Sequence, residues 1–142
     1  MTTFICLYAP ANSGKSRSIR RVDEILQSYG AKVISTLFDE YDFAREYTFR
    51  NKKIGILSLG DPDSAQDDWL AKIVNDDCDI IVCASRTKGA TCDIVSSKLK
   101  QGDSLYWISP LYEYESSLPS PLQADMQEYN AQFIIKYILS IK

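Results

Sequence analysis

From residue 9 to residue 16 the chain reads Ala9-Pro10-Ala11-Asn12-Ser13-Gly14-Lys15-Ser16. An apolar run, 4–8, precedes this stretch, and an amphipathic segment begins near Ser16. A strand, a loop and a helix in this order allow backbone N–H groups and the positive end of the helix to surround a polyphosphate. The stretch therefore predicts a phosphate-binding loop. The alternative is an ordinary turn that carries an exposed lysine.

The same residues resemble the Walker A motif of P-loop NTPases, G-x-x-x-x-G-K-[ST], except that Ala9 stands in place of the first glycine. An extended backbone at the end of a strand accommodates alanine, because only a positive φ would require glycine there. The resemblance implies that Lys15 reaches the outer phosphates of ATP and that Ser16 ligates Mg²⁺. It implies further nucleotide contacts from Asn12, Ser13 and Gly14.

Length and charge limit the function classes. The chain has 142 residues and a net charge of −3, with no long run of lysine or arginine. These values predict a single domain, 1–142, and give no support to non-specific binding of nucleic acid or of an anionic membrane. The first residues read as a core strand rather than as a signal peptide, and no apolar stretch has the length of a membrane span. A cytoplasmic location is the resulting expectation.

The sequence contains four cysteines and no histidine. The absence of histidine excludes Ser-His-Asp and Cys-His catalysis and histidine-ligated zinc, so carboxylates, lysine, arginine and a bound metal remain for any chemistry. Cys6 and Cys83 fall in predicted strands, where cysteine behaves as a small buried hydrophobic residue. We expect no disulfide in this setting.

Apolar runs alternate with segments of helical period along the chain. Strands are predicted at 3–8, 32–38, 54–60, 79–84 and 104–108. Helices are predicted at about 15–29, from near 64, at about 90–100 and from 120. This alternation predicts right-handed crossovers and a three-layer α/β sandwich with a five-stranded, mainly parallel sheet, similar to the layout of P-loop NTPases.

The last predicted helix has the clearest pattern. Ser120 is the predicted N-cap, with Pro121 at the first helical position and Gln123 completing a capping box. An apolar stripe then recurs at spacings of three or four: Leu122, Met126, Tyr129, Phe133, Tyr137 and Ile141. We expect this stripe to pack in the core, with a surface for a partner helix as the alternative.

Ligands of parallel sheets bind at the carboxyl ends of the strands. Asp61 follows the apolar strand 54–60 and resembles the Walker B aspartate, which holds Mg²⁺ directly or through water. The alternative is a turn or helix cap, and Asp63 is a weaker candidate for the same metal role. Pro62 stands where ATPases of the additional-strand class carry a glutamate that polarises water. Its presence argues against fast hydrolysis.

A second polar cluster, Ser85-Arg86-Thr87-Lys88, follows the strand 79–84. Arg86 is the candidate for stabilising charge on a transferring phosphoryl group, and Lys88 for contacting the nucleotide. Ser85 or Thr87 would sense the γ-phosphate. The alternative is a solvated loop with an exposed arginine and lysine.

Residues 39–53 form the least regular part of the α/β pattern, because tyrosine and phenylalanine alternate there with charges of both signs. In small nucleotide kinases, which this layout resembles, the corresponding crossover holds the phosphate acceptor. We therefore expect an acceptor or lid segment, with a short helix over the sheet edge as the alternative. Asp39 and Asp42 are candidate bases for an acceptor hydroxyl.

Two functional hypotheses follow. One is an enzyme that transfers the γ-phosphoryl group of ATP, with Mg²⁺, to water or to an unidentified small acceptor. The other is a nucleotide-responsive regulatory or assembly module that acts on a protein partner with little turnover. A plain anion-binding domain is a third possibility. ATP is favoured over GTP, because the run from Arg86 to Ala90 lacks the aspartate expected two positions after the lysine.

The order of the strands decides the subclass. If the strand that ends at Asp61 lies beside the phosphate-loop strand, the kinase-GTPase class is favoured. If another strand lies between them, the additional-strand class is favoured.

Overall fold

The structure, a computed structural model, describes residues 1–10, 13–60, 65–87, 90–112 and 118–141. The strands of this part of the chain are β1 (Thr3–Tyr8), β2 (Lys32–Asp39), β3 (Phe43–Phe49), β4 (Lys52–Leu57), β5 (Ile80–Ser85) and β6 (Ser104–Ile108). The helices are α1 (Lys15–Ser28), α2 (Gln66–Asn75), α3 (Ala90–Ser97) and α4 (Ser120–Ser140). The predicted α/β class is confirmed.

The strands form one six-stranded sheet in the order β2-β3-β4-β5-β1-β6. The four strands β4, β5, β1 and β6 run parallel to one another. β3 runs antiparallel to both of its neighbours, β2 and β4. The sheet is therefore mixed and six-stranded, and the prediction of a five-stranded, mainly parallel sheet is wrong.

The additional strand, β3, lies inside the segment predicted to be irregular. Phe43, Tyr47 and Phe49 are buried on the face that α1 covers. A two-residue turn, Arg50-Asn51, joins β3 to β4, with φ angles of 50° and 63°. Positive φ at both central residues is the geometry of a type I′ hairpin turn, which matches the twist of the paired strands. The usual sequence signal for that turn, Asn-Gly or Asp-Gly, is missing here. The alternative of a short helix is also wrong for this segment.

Helices cover both faces of the sheet. On β1, alternate side chains point to opposite sides: Ile5 and Leu7 pack with α1 and α4, whereas Phe4 and Cys6 pack with α2 and α3. Cys6 and Cys83 are fully buried on adjacent strands, as predicted, and all four cysteines are free thiols. No helix in the described ranges has the length and apolar character needed to span a bilayer.

The predicted core stripe of α4 is wrong for Leu122, Tyr129 and Phe133, although Tyr137 and Ile141 are partly buried against the core. Leu122, Tyr129 and Phe133 are 47%, 70% and 53% exposed. The buried side of the helix is offset from that stripe and consists of Asn130, Ala131, Ile134, Ile135 and Ile138. The helix carries two apolar stripes, and the one made of compact aliphatic residues packs against the sheet and α1.

The start of α4 also differs from the prediction. The helix begins at Ser120 after Pro119, and no side chain caps it. Pro121 lies in the first turn, as expected. Gln123 donates its side-chain amide to the carbonyl oxygen of Leu118 at 2.9 Å. This bond ties the incoming chain to the helix in place of the predicted capping box.

Candidate functional site

The ends of β1 and β5 meet at the carboxyl edge of the sheet. Tyr8 and Ser85 are partners in the parallel register, and the backbone N–H of Ala9 donates to the carbonyl oxygen of Ser85 at 3.2 Å. The loop that follows β1 therefore begins beside Arg86. The predicted role of Arg86 in stabilising a transferring phosphoryl group requires this adjacency.

Lys15 is the first residue of α1 and is only 7% exposed. Its ammonium group donates to the carbonyl oxygens of Ala9 and Pro10, both at 2.8 Å. The side chain therefore lies back along the loop that connects β1 to α1. This geometry differs from that of a turn with an exposed lysine, and it puts a positive charge within the loop.

Gly14 precedes Lys15 with a φ of 83°, which glycine adopts without strain. A Cβ at this position would lie 3.3 Å from Nε2 of Gln127 on α4. A side chain here would therefore crowd α4 as well as strain the backbone. Both constraints support the predicted glycine turn into the helix.

The N-terminus of α1 has no side-chain cap and no acidic residue in its first turn. The first N–H groups of a helix have no partner within the helix, and its positive end attracts anions. The hydroxyl of Ser13, next to this terminus, is buried without a hydrogen-bond partner among the described residues. A helix N-terminus with a buried polar side chain beside it fits an anionic group such as a phosphate.

Ser16 contacts a residue far away in the chain. Its hydroxyl donates to Oδ1 of Asp42 at 2.9 Å, and the hydroxyl of Ser58 donates to the same oxygen at 2.8 Å. Ser58 in turn accepts a bond from the backbone N–H of Phe43 at 2.9 Å. The turn between β2 and β3 therefore reaches the start of α1. The sequence predicts only a role as a base for Asp42, because the contact with Ser16 depends on β3, which the sequence pattern does not indicate.

Arg20 fixes the same turn to α1. Its guanidinium group pairs with Asp39 at 2.8 Å and donates to the carbonyl oxygens of Glu40 and Tyr41 at 2.9 and 3.1 Å. The hydrogen bond from Arg20 holds the pKa of Asp39 below its usual value. A carboxylate with a lowered pKa is a weaker base, so the environment of Asp39 disfavours its predicted role as a general base.

A cleft of about 690 Å³ lies beside Ser16. It is bounded by α1, by the β2–β3 turn and by the first turns of α4, with Arg17, Tyr41, Asp125 and Gln127 among its lining residues. This volume falls in the range of about 300–1,000 Å³ typical of small-molecule sites. The cleft is therefore large enough for the part of a ligand that extends beyond the loop.

The segment after β5 is held by its own hydrogen bonds. Ser85 is fully buried, and its hydroxyl donates to the carbonyl oxygen of Arg86 at 2.8 Å. The backbone N–H of Arg86 donates to Oγ1 of Thr91 at 3.1 Å, and the hydroxyl of Tyr8 donates to the carbonyl oxygen of Thr87 at 2.9 Å. The hydroxyl of Ser85 is thus engaged within the protein, which disfavours its predicted role as a γ-phosphate sensor.

Four residues with predicted roles lie outside the described ranges: Asn12, Asp61, Asp63 and Lys88. Their roles stay predictions. The described residues of the site are brought together from the β1–α1 loop, the β2–β3 turn and the segment after β5.

Comparison of the chain with models of protein families, with curated proteins and with solved structures finds no significant match. Similarity therefore assigns neither a family nor an activity. The chemistry of Lys15, Ser16 and their neighbours is the basis on which a function can be inferred.

Proposed function

We propose that the chain binds ATP with Mg²⁺ at the loop between β1 and α1, and that it transfers the γ-phosphoryl group or hydrolyses ATP slowly. The observation that carries this proposal is the buried ammonium group of Lys15, held by the carbonyl oxygens of Ala9 and Pro10 at the uncapped start of α1. A buried cation beside the N-terminus of a helix is suited to a polyphosphate.

Each part of the site has a role in this proposal. Lys15 would exchange its carbonyl contacts for oxygens of the β- and γ-phosphates, while the first N–H groups of α1 bind the remaining phosphate oxygens. Ser16 and Asp61 are the predicted ligands of Mg²⁺, which supplies charge neutralisation when bound. Arg86, next to the start of the loop, would stabilise charge on the transferring group.

The order of the strands supports the additional-strand class of P-loop NTPases. β5 lies between β1, which leads into the loop, and β4, which precedes Asp61. In that class a strand separates these two elements. Pro62, in place of the glutamate that polarises water, supports slow turnover or transfer to an acceptor other than water.

The contact between Ser16 and Asp42 favours a second candidate, a nucleotide-responsive module with little turnover. Through this contact, a nucleotide at Ser16 would act directly on the β2–β3 turn. A change in that turn would alter the exposed surface around Tyr41, which is 79% exposed and available to a protein partner.

Calorimetric titration tests the proposal. Wild-type protein should bind ATP with Mg²⁺, whereas Lys15→Ala should lose at least about tenfold in affinity, since one charge-assisted contact contributes about 1.5–3 kcal/mol. Lys136→Ala, which removes an exposed lysine of α4, is the matched control and should bind as wild type does. Wild-type protein that is folded and binds neither ATP nor GTP would refute the proposal.

Turnover separates the two candidates. Release of inorganic phosphate, or transfer to an added acceptor, that disappears in Lys15→Ala supports an enzyme. Tight Mg²⁺-dependent binding without turnover, together with altered protease cleavage near Tyr41, supports the responsive module.

A further inference from the structure

We propose that Asp42, on the turn between β2 and β3, supplies a carboxylate that anchors Mg²⁺ together with Ser16 and so couples this turn to the bound nucleotide. The inference rests on the proposed function of the loop and adds a residue that the Walker-type motifs do not include. It is carried by the contacts that bring the Ser16 hydroxyl and the Asp42 carboxylate together.

The two side chains have the geometry of neighbouring metal ligands. Ser16 Oγ and Asp42 Oδ1 are 2.9 Å apart. Adjacent oxygens of an octahedral Mg²⁺ site, with bonds of about 2.0–2.1 Å, lie about 2.8–3.0 Å apart. Ser16 donates its proton to Asp42, which leaves its oxygen lone pairs available to a cation. Oδ2 of Asp42 accepts no hydrogen bond from any residue in the described ranges, so the carboxylate also retains capacity for a cation.

The position of the carboxylate is fixed in advance. Ser58, the first residue after β4, is 1% exposed and donates its hydroxyl to Asp42 Oδ1 at 2.8 Å. Its backbone N–H donates to the carbonyl oxygen of Phe43 at 3.0 Å, which ties β4 to the residue that follows Asp42. Ser58 thus occupies the end of the strand and directs an acidic group from the adjacent turn toward α1. Hydrogen bonds from a neighbouring residue to a metal ligand orient that ligand.

The site needs the nucleotide to be complete. Within the described residues there is no group of three or more histidine, cysteine, aspartate or glutamate side chains that could hold a metal. Mg²⁺ is commonly bound through one or two protein ligands together with substrate phosphates and water. Two oxygens, from Ser16 and Asp42, match that requirement. We therefore expect Mg²⁺ to strengthen ATP binding and to bind weakly without ATP.

The test compares ATP affinity in Mg²⁺ with ATP affinity in EDTA, by calorimetry, for wild type and variants. Asp42→Asn keeps an oxygen that accepts from Ser16 and Ser58 but removes the charge. For this variant, the ratio of ATP affinity in Mg²⁺ to ATP affinity in EDTA should be about 10–100-fold smaller than for wild type. Its affinity in EDTA should stay within about threefold of wild type. Asp39→Asn is the matched control, because it removes a carboxylate that anchors the same turn without contacting Ser16. It should keep the full gain.

A double variant tests whether the two residues act on one cation. Ser16→Ala and Asp42→Asn should each reduce the gain from Mg²⁺, and the double variant should lose less than the sum of the two effects. Circular dichroism melts confirm that each variant is folded. If Asp42→Asn is not folded, Asp42→Glu, which keeps the charge, should retain part of the gain.

The outcomes are distinguishable. A wild-type gain that Asp42→Asn retains in full overturns this inference and leaves the proposed function standing. An equal loss in Asp39→Asn also overturns it, because the effect would then come from the position of the turn. A wild-type protein that binds no ATP in either condition overturns the proposed function, and this inference with it.

Discussion

Tyr47 donates its hydroxyl to the carboxylate of Asp23, joining the middle of β3 to the buried side of α1. Both residues are nearly inaccessible, at 0% and 4% exposed. The same carboxylate accepts from Arg45 at 2.8 Å and from Gln27 at 2.9 Å. Burial, together with the nearby Asp23 carboxylate, raises the pKa of Tyr47 well above its ordinary value, so the hydroxyl remains a donor. The helix that begins at Lys15 is thereby fixed to the hairpin.

Tyr47→Phe should destabilise the protein by about 1–3 kcal/mol, because it removes a hydrogen bond to a buried, charged acceptor while keeping the ring in place. Urea unfolding followed by circular dichroism measures this change. Tyr41→Phe, at a position 79% exposed, is the control and should change the free energy of unfolding by less than about 0.5 kcal/mol. Equal stability of the two variants would contradict the assigned role of the Tyr47 hydroxyl.

A second buried polar group on β3 should make stability depend on pH. Glu46 is 4% exposed, and its Oε2 has no hydrogen-bond partner in the described part of the chain. Burial first, and then the neighbouring Asp76 carboxylate, raise the pKa of Glu46 from 4.5 to about 7, although Lys53 and Lys72 oppose the shift. The folded state therefore holds a proton more tightly than the unfolded state does. Stability should decrease as the pH rises from about 4.5 to about 7.

Glu46→Gln removes this ionisation and should be more stable than wild type by about 1–3 kcal/mol at pH 8, with the advantage disappearing near pH 4.5. Denaturant unfolding at several pH values measures the difference. Glu24→Gln provides the control, since the side chain of Glu24 is 59% exposed and should leave the slope unchanged. Parallel stability curves for Glu46→Gln and wild type would show that Glu46 does not titrate in this range.

The sequence pattern does not indicate β3, or the buried Tyr47 and Glu46 that lie on it, for one reason. The strands 3–8 and 104–108 were predicted with the bounds that the structure has, because continuous apolar and aromatic runs mark them. In β3, however, Arg45 and Glu46 interrupt the apolar pattern. Arg45 pairs with Asp23 on one face, and Glu46 faces Asp76 on the other. These partners are remote in sequence, so the local pattern does not indicate a buried strand.

The same limit applies to the candidate site, where local patterns indicate the adjacent elements but not the contacts between distant residues. The strand, the loop and the helix around Lys15 follow from adjacent residues, and the structure has them in that order. The contact of Ser16 with Asp42 requires the turn between β2 and β3 to lie over the start of α1. That placement depends on the register of a hairpin that the sequence did not reveal. Local motifs therefore indicate the loop, whereas the position of Asp42, which contacts Ser16, is determined by the pairing of β2 with β3.

The face that α4 buries can be tested with two substitutions. Ile134 is fully buried, so Ile134→Ala should cost about 2–5 kcal/mol through lost burial and a residual cavity. Tyr129, which the sequence pattern assigned to the core, is 70% exposed, so Tyr129→Ala should cost less than about 0.5 kcal/mol. Thermal and urea unfolding give both values. The reverse ranking would mean that the aromatic stripe packs in the core.

Arg86→Ala should separate chemistry from binding if the chain is an enzyme. Its backbone N–H is held by Thr91 Oγ1 and its carbonyl oxygen accepts from Ser85, so the substitution leaves the path of the backbone intact. An arginine that stabilises only the transferring group contributes to the transition state, and its loss should lower turnover by about 10³–10⁵-fold.

The affinity for ATP with Mg²⁺ should stay within about threefold, because ground-state contacts with Lys15 and α1 remain. Single-turnover assays and calorimetry on the same preparation measure the two effects, with Lys136→Ala, at an exposed lysine of α4 outside the cleft, as the control. A parallel loss of affinity and turnover would identify Arg86 as a binding residue, and unchanged turnover would remove it from the mechanism.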